Sequence, residues 1–135
     1  MNYLQAFAIS GSGMAVERTR VDVTAVNIAN AHSTRAADGG GFRALRVVTA
    51  ERANSFESLL RGAQVVEVRP IEAPPRLAYE PGHPDADGRG FVAYPGINPV
   101  AEMMNLLTAV RAYEANVAAL NAAKAMALRT LEIGR

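Results

Sequence analysis

The stretch NPVAEMMNLLTAVRAYEANVAALNAAKAMALRTLEIGR, residues 98–135, decides the architecture. Asn98 has the side chain of an N-cap, and Pro99 suits the first helical turn, where its missing N–H costs nothing. Glu102 places a negative charge in that turn, where the helix dipole favours it. No further Pro or Gly occurs until Gly134. The pattern predicts about 35 residues of uninterrupted helix, roughly 52 Å at 1.5 Å per residue. Globular helices commonly run about 8–20 residues. A rod of that length is hard to enclose in so short a chain, which points to packing partners in other molecules.

The side chains carry the same message. Met103, Leu106, Val110, Tyr113, Val117, Leu120, Lys124, Ala127 and Leu131 step by alternating three and four residues. Lys124 interrupts this seam, but its stem can lie along it while the ammonium reaches water. Alanines dominate the remaining faces, joined by Met104, Leu107, Met126, Leu128 and Ile133. A helix with so little charge around its circumference is buried on more than one side. The same periodicity also fits a single amphipathic core helix of a small domain.

Residues 1 to about 31 read as a second helix. Leu4, Phe7, Gly11, Met14, Arg18, Val21, Ala25 and Ile28 follow the three-four spacing, with Gly11 and Arg18 as its weak points. Gly11-Ser12-Gly13 is expected to loosen or bend the helix, each Gly costing up to about 1 kcal/mol against Ala. Asn27-Ile28-Ala29-Asn30-Ala31 reads as the helix end, because Asn tolerates the left-handed conformation. Two patterned helices at the two chain ends can pair antiparallel, as a hairpin whose open end is formed by the termini.

Bulk properties narrow the function. The chain has 135 residues, enough for one domain of ordinary size, and a net charge of +1. That charge supplies no field to hold nucleic acid or an acidic membrane. Cys is absent, which excludes disulfides and Cys-based metal sites or nucleophiles, and suits a chain that crosses between redox compartments. The N-terminus lacks the pattern of a secretory signal, and no apolar run reaches the roughly 18 residues of a membrane span. There is no nucleophile–base pair, carboxylate dyad or metal cluster, so no catalytic, cofactor or metal residues are assigned and no enzymatic activity is expected.

Between the helices the chain turns to strands and turns. Asp38-Gly39-Gly40-Gly41 is a flexible turn without the Lys-Ser/Thr of a phosphate loop. Residues 42–49, 63–71, 76–79 and 91–94 read as strands, from their β-branched and alternating character. A loop or short helix is expected around Phe56–Leu60. Asp85-Ala86-Asp87-Gly88 resembles the opening of a calcium loop, but Gly96 stands where that loop needs Glu. The alternative is that these Asp side chains bond the backbone of the turn.

The fold class is therefore α+β: long terminal helices forming a coiled-coil core (1–35 and 98–135), and a β-rich middle (36–97). Asn27-Ile28-Ala29-Asn30-Ala31, Arg35 and Gly39-Gly40 resemble the N-terminal motif of bacterial flagellar rod and hook axial proteins. Pro74-Pro75-Arg76-Leu77, the run Tyr79–Asp87, Tyr94-Pro95 and Asn98-Pro99 are similar to the basal-body rod branch of that family. Glu102-Met103-Met104, Arg111–Asn116 and Leu131–Arg135 extend the resemblance over essentially the whole chain. It implies a structural subunit of the proximal rod, exported by the flagellar type III apparatus and packed with copies of itself and other rod proteins. Those would include the rod-to-export-gate adaptor and distal rod subunits. The expected packing residues are Phe7, Met14, Val21, Asn27, Ile28 and Asn30 in the first helix. In the second they are Met103, Leu106, Val110, Arg111, Tyr113, Glu114, Asn116, Val117, Leu120 and Leu131. Arg111 and Glu114 either bridge to a neighbour or pair within their own helix. A binding module or chaperone docking one partner through the second helix is the alternative function.

Overall fold

Asn98 caps the terminal helix as its side chain predicts. Its Oδ1 accepts the N–H groups of Val100 (3.0 Å) and Ala101 (3.3 Å), and helix α2 runs from Pro99 to Ile133. The computed structural model describes residues 3–34, 41–51 and 62–133. Arg35, the Asp38-Gly39-Gly40 turn, the segment around Phe56–Leu60 and Gly134 lie outside the described residues. Helix α1 spans Tyr3–Ala29, and strands β1 (Leu45–Glu51), β2 (Ala63–Pro70), β3 (Arg76–Tyr79) and β4 (Phe91–Tyr94) lie between the helices. The chain is α+β.

The two helices pair antiparallel. Asn27 near the end of α1 bonds Glu102 near the start of α2, Gly13 faces Asn116, and Tyr3 Oη lies 3.0 Å from Thr130 Oγ1. Helix α1 runs unbroken through Gly11-Ser12-Gly13. A Cβ on Gly13 would stand 2.7 Å from Asn116 Oδ1, so this glycine lets the two helices approach closely. The end of α1 uses no left-handed Asn, because no described non-glycine residue has positive φ. Instead Asn30 Nδ2 donates to the Val26 carbonyl (2.9 Å), and the Ala31 and Ser33 N–H groups bond three residues back. These bonds satisfy the last carbonyls without the strain of that conformation.

Strands β1 and β2 form an antiparallel ribbon from Leu45↔Pro70 to Glu51↔Ala63, with a register shift between Val48 and Thr49. Both strands contact α1. Gly62, at the start of β2, has φ +77° and sits where any Cβ would collide with Ser12 Oγ. Only glycine meets both demands. Strands β3 and β4 form a second antiparallel ribbon, from Arg76↔Tyr94 to Tyr79↔Phe91. Among the described residues, Ala31, Ala44 and Ile97 form a small buried apolar cluster with Phe42 and Ile71 packed on it, and Val92 and Tyr94 of β4 are buried too.

The turn between β3 and β4 is held by Asp87. Its Oδ1 accepts the N–H groups of Arg89 (2.8 Å) and Phe91 (2.9 Å). The bond from Phe91 and then that from Arg89 lower its pKa below the ordinary carboxylate value, because both stabilise the ionised form. The folded pKa lies below the unfolded one, so this contribution is present at neutral pH and is lost as pH falls through the folded value. The amides of Arg89 and Phe91, which donate to Asp87, are therefore expected to shift together in an NMR titration, and only at pH values below the ordinary carboxylate range. A shift centred near neutrality would contradict this role for Asp87.

Candidate subunit-packing surfaces

A buried polar node fixes the end of the helix pair that meets the strands. Asn27 is fully buried. Its Nδ2 donates to the Leu45 carbonyl (2.9 Å) and to Glu102 Oε2 (2.9 Å), while its Oδ1 accepts the Leu45 N–H (2.8 Å). Glu102 is 4% exposed; its Oε1 also accepts from Asn105 Nδ2 (3.2 Å) and lies 3.1 Å from Arg46 Nη1. One amide and one carboxylate thus tie α1, α2 and β1 together with their hydrogen-bonding groups satisfied. The strand expected at 42–49 starts later, at Leu45, the residue whose backbone this node captures.

The face of α2 that meets α1 is built from small and polar residues. Glu102, Ala109, Asn116 and Ala123 recur every seventh residue; Glu102, Ala109 and Ala123 are buried and Asn116 is half-buried. Opposite them Ser10, Val16, Thr24 and Asn27 are the buried residues of α1. Side chains this small let two helix backbones come close, and they leave the larger apolar groups on other faces.

The predicted seam of α2 lies on the flank of the pair. Leu106, Val117 and Leu120 are half-buried, whereas Met103, Val110, Tyr113 and Leu131 are exposed. The predicted seam of α1, Phe7, Met14, Val21 and Ile28, is half-buried along its whole length. Val21, Val110 and Tyr113 together line an open groove of about 340 Å³ between the helices, with Arg18 and Asp22 on its α1 side. On the outward side of α2, Val100, Met103, Met104 and Leu107 form an apolar ridge, Met104 being 66% exposed. Leu128, Leu131 and Ile133 continue the exposed apolar surface to the helix end, with Ile133 87% exposed.

The polar candidates divide differently. Asn27 is enclosed by its own chain and serves the node, so its side chain offers no surface to a neighbour. Asn30 and Asn116 bond backbone carbonyls of their own helices, at Val26 and Ala112. Arg111 Nη1 bonds Glu114 Oε2 at 2.8 Å across one turn, and both side chains are open to solvent. Sequence reasoning missed Glu102 as the partner of Asn27 and Arg46 as the partner of Glu102. The available signal was the seven-residue recurrence of Glu102, Ala109, Asn116 and Ala123, which competes with the larger-residue seam. Among the described residues no helix is long and apolar enough to cross a membrane.

The chain is similar along its full length to curated flagellar proteins. It is 41% identical over 135 residues to the flagellar basal-body rod protein FlgC of Escherichia coli O6:H1, and equally to that of Salmonella typhimurium, covering all of both chains in each case. It is 33% identical over 150 aligned positions to FlgC of Bacillus subtilis, again covering both chains completely. Residues 89–133 match the sequence model of the family described as flagellar basal body rod FlgEFG protein C-terminal. Full-length identity at this level to FlgC from several bacteria, with the paired terminal helices, places the chain in the FlgC family of flagellar basal-body rod proteins, structural components of the rod in the bacterial basal body.

Proposed function

We propose that the chain polymerises through α1 and α2 into the proximal rod, a tubular shaft that transmits torque and surrounds the export channel. The observation that carries this reading is the unfinished burial of the helix pair. Within one chain α1 and α2 already join, yet Met103, Met104, Leu107 and Leu131 remain exposed. Apolar surface of this extent on a small chain marks a packing site for other molecules. Residues 1–35 and 98–135 form the axial core in this reading, and residues 36–97 form the outer domain. The candidate residues on the flank of the pair make contacts between subunits. The neighbours are copies of the chain and other rod proteins, including the adaptor to the export gate and the distal rod subunits. The chain reaches the periplasmic rod unfolded through the flagellar type III apparatus. Its role is mechanical, not catalytic.

Sizing of the purified chain alone and with the other rod proteins tests the reading, alongside swimming of a strain that lacks it. The expected result is open-ended assembly in the mixture and complete loss of swimming in the strain, restored by the wild-type chain. A discrete small complex of fixed size would favour a docking module or chaperone instead.

A further inference from the structure

Two surfaces of the helix pair are complementary to each other but lie on different sides of the molecule. One is the groove of about 340 Å³ formed by Val21, Val110 and Tyr113, with Arg18 and Asp22 at its edge. Arg18 and Asp22 are one turn apart, and neither makes an ion pair with a described residue. The other is the outward ridge of α2, where Leu107 is exposed and Arg111 and Glu114 are open to solvent. Resting on the polymerisation reading, we infer that the ridge of one copy seats in the groove of the next, with Glu114 meeting Arg18 and Arg111 meeting Asp22.

Charge order fixes the orientation of this contact. Along α1 the order is cation then anion, Arg18 then Asp22; along α2 it is also cation then anion, Arg111 then Glu114. Opposite charges meet only if the incoming α2 runs antiparallel to α1. It then runs parallel to the α2 of the receiving copy. Identical subunits related by rotation about a common axis have this arrangement, with all their α2 helices pointing the same way. Because ridge and groove are different patches, the contact is heterologous: it leaves one free ridge and one free groove after each addition, and grows a ring or a helix instead of closing a two-fold dimer. Ridge-into-groove seating is also the ordinary way in which helices pack. In this register Leu107 of the incoming copy lies beside Ala25 of the receiving one.

The absence of cysteine makes a direct test possible. One strain expresses two swimming-competent single-cysteine copies, Ala25→Cys and Leu107→Cys, and basal bodies isolated from it are oxidised. The expected result is a disulfide-linked dimer of the two variants, absent when either variant is expressed alone. In parallel, Arg18→Glu is expected to abolish swimming and Arg18→Glu with Glu114→Arg to restore it. Intact rods containing both cysteine variants, with no cross-link between them and no rescue by the double charge exchange, would overturn the ridge-and-groove contact while leaving polymerisation standing. A cross-link from Leu107→Cys to a different rod protein, without one to the Ala25→Cys copy, would equally overturn it. Loss of the chain from wild-type rods would instead remove the reading on which it rests.

Discussion

Replacing Asn27 with Asp is expected to unfold the junction between the helix pair and β1. The substitution preserves shape and removes the donor. Asn27 Nδ2 makes two bonds, to the Leu45 carbonyl and to Glu102 Oε2, each 2.9 Å long. Asp would present an oxygen to both of these acceptors, inside a site with no exposure. Each buried acceptor left without its donor costs about 1–3 kcal/mol. Two carboxylates at hydrogen-bond distance in a dry site cannot both stay ionised without a further penalty. The total is at least about 4 kcal/mol, against a typical domain stability of about 5–15 kcal/mol. Urea denaturation of the purified chain reads the loss directly. Combining Asn27→Asp with Glu102→Gln should recover part of it, because a Gln amide can donate where the lost Asn amide did. The contrast is Asn30→Ala: the Asn30 side chain bonds the Val26 carbonyl at an exposed helix end, where water replaces it, so about 1 kcal/mol or less is expected. Equal effects at the two asparagines would show that the node is not what holds the junction.

That contrast also marks where the sequence is readable. The cap at Asn98 and the strands at residues 76–79 and 91–94 follow from local chemistry, and the observed elements coincide with them. Asn27 and Glu102 also have sound local readings, as a helix end and a dipole-matched charge. Their partnership depends on antiparallel pairing of the two chain ends, which is not a local property. The face of α2 that joins α1 was hidden for a different reason. Hydrophobic periodicity weights large side chains, and the large ones here, Met103, Val110, Tyr113 and Leu131, are those left exposed. Ala109, Ala123 and Gly13 give the close approach inside the chain because they have almost nothing to project. If the chain completes its burial with neighbours, as proposed, size and burial within the single molecule need not be correlated.

Val117→Asp separates assembly from folding, because Val117 is half-buried on the flank of the pair and takes no part in the node. In the isolated chain an Asp there keeps access to water, so thermal or urea unfolding should change by only about 1 kcal/mol. In the proposed rod packing the same flank is covered by a neighbour. An unpaired carboxylate would then lose its hydration at every subunit contact, at a cost of at least about 3 kcal/mol each, roughly a hundredfold in each association step. The penalty recurs with each added subunit, so the rod should fail to form and swimming should be lost, while the purified protein stays folded and soluble. Val117→Leu, which keeps the surface apolar, should swim. The pair of variants at Asn27 and Val117 is informative because their expected signatures are opposite: the first fails in the test tube as a single chain, the second only in the cell, where copies must pack. A Val117→Asp strain that swims normally would mean that this flank faces solvent in the rod, and the axial contacts would then have to be carried by the outward ridge of α2 against some surface other than the groove.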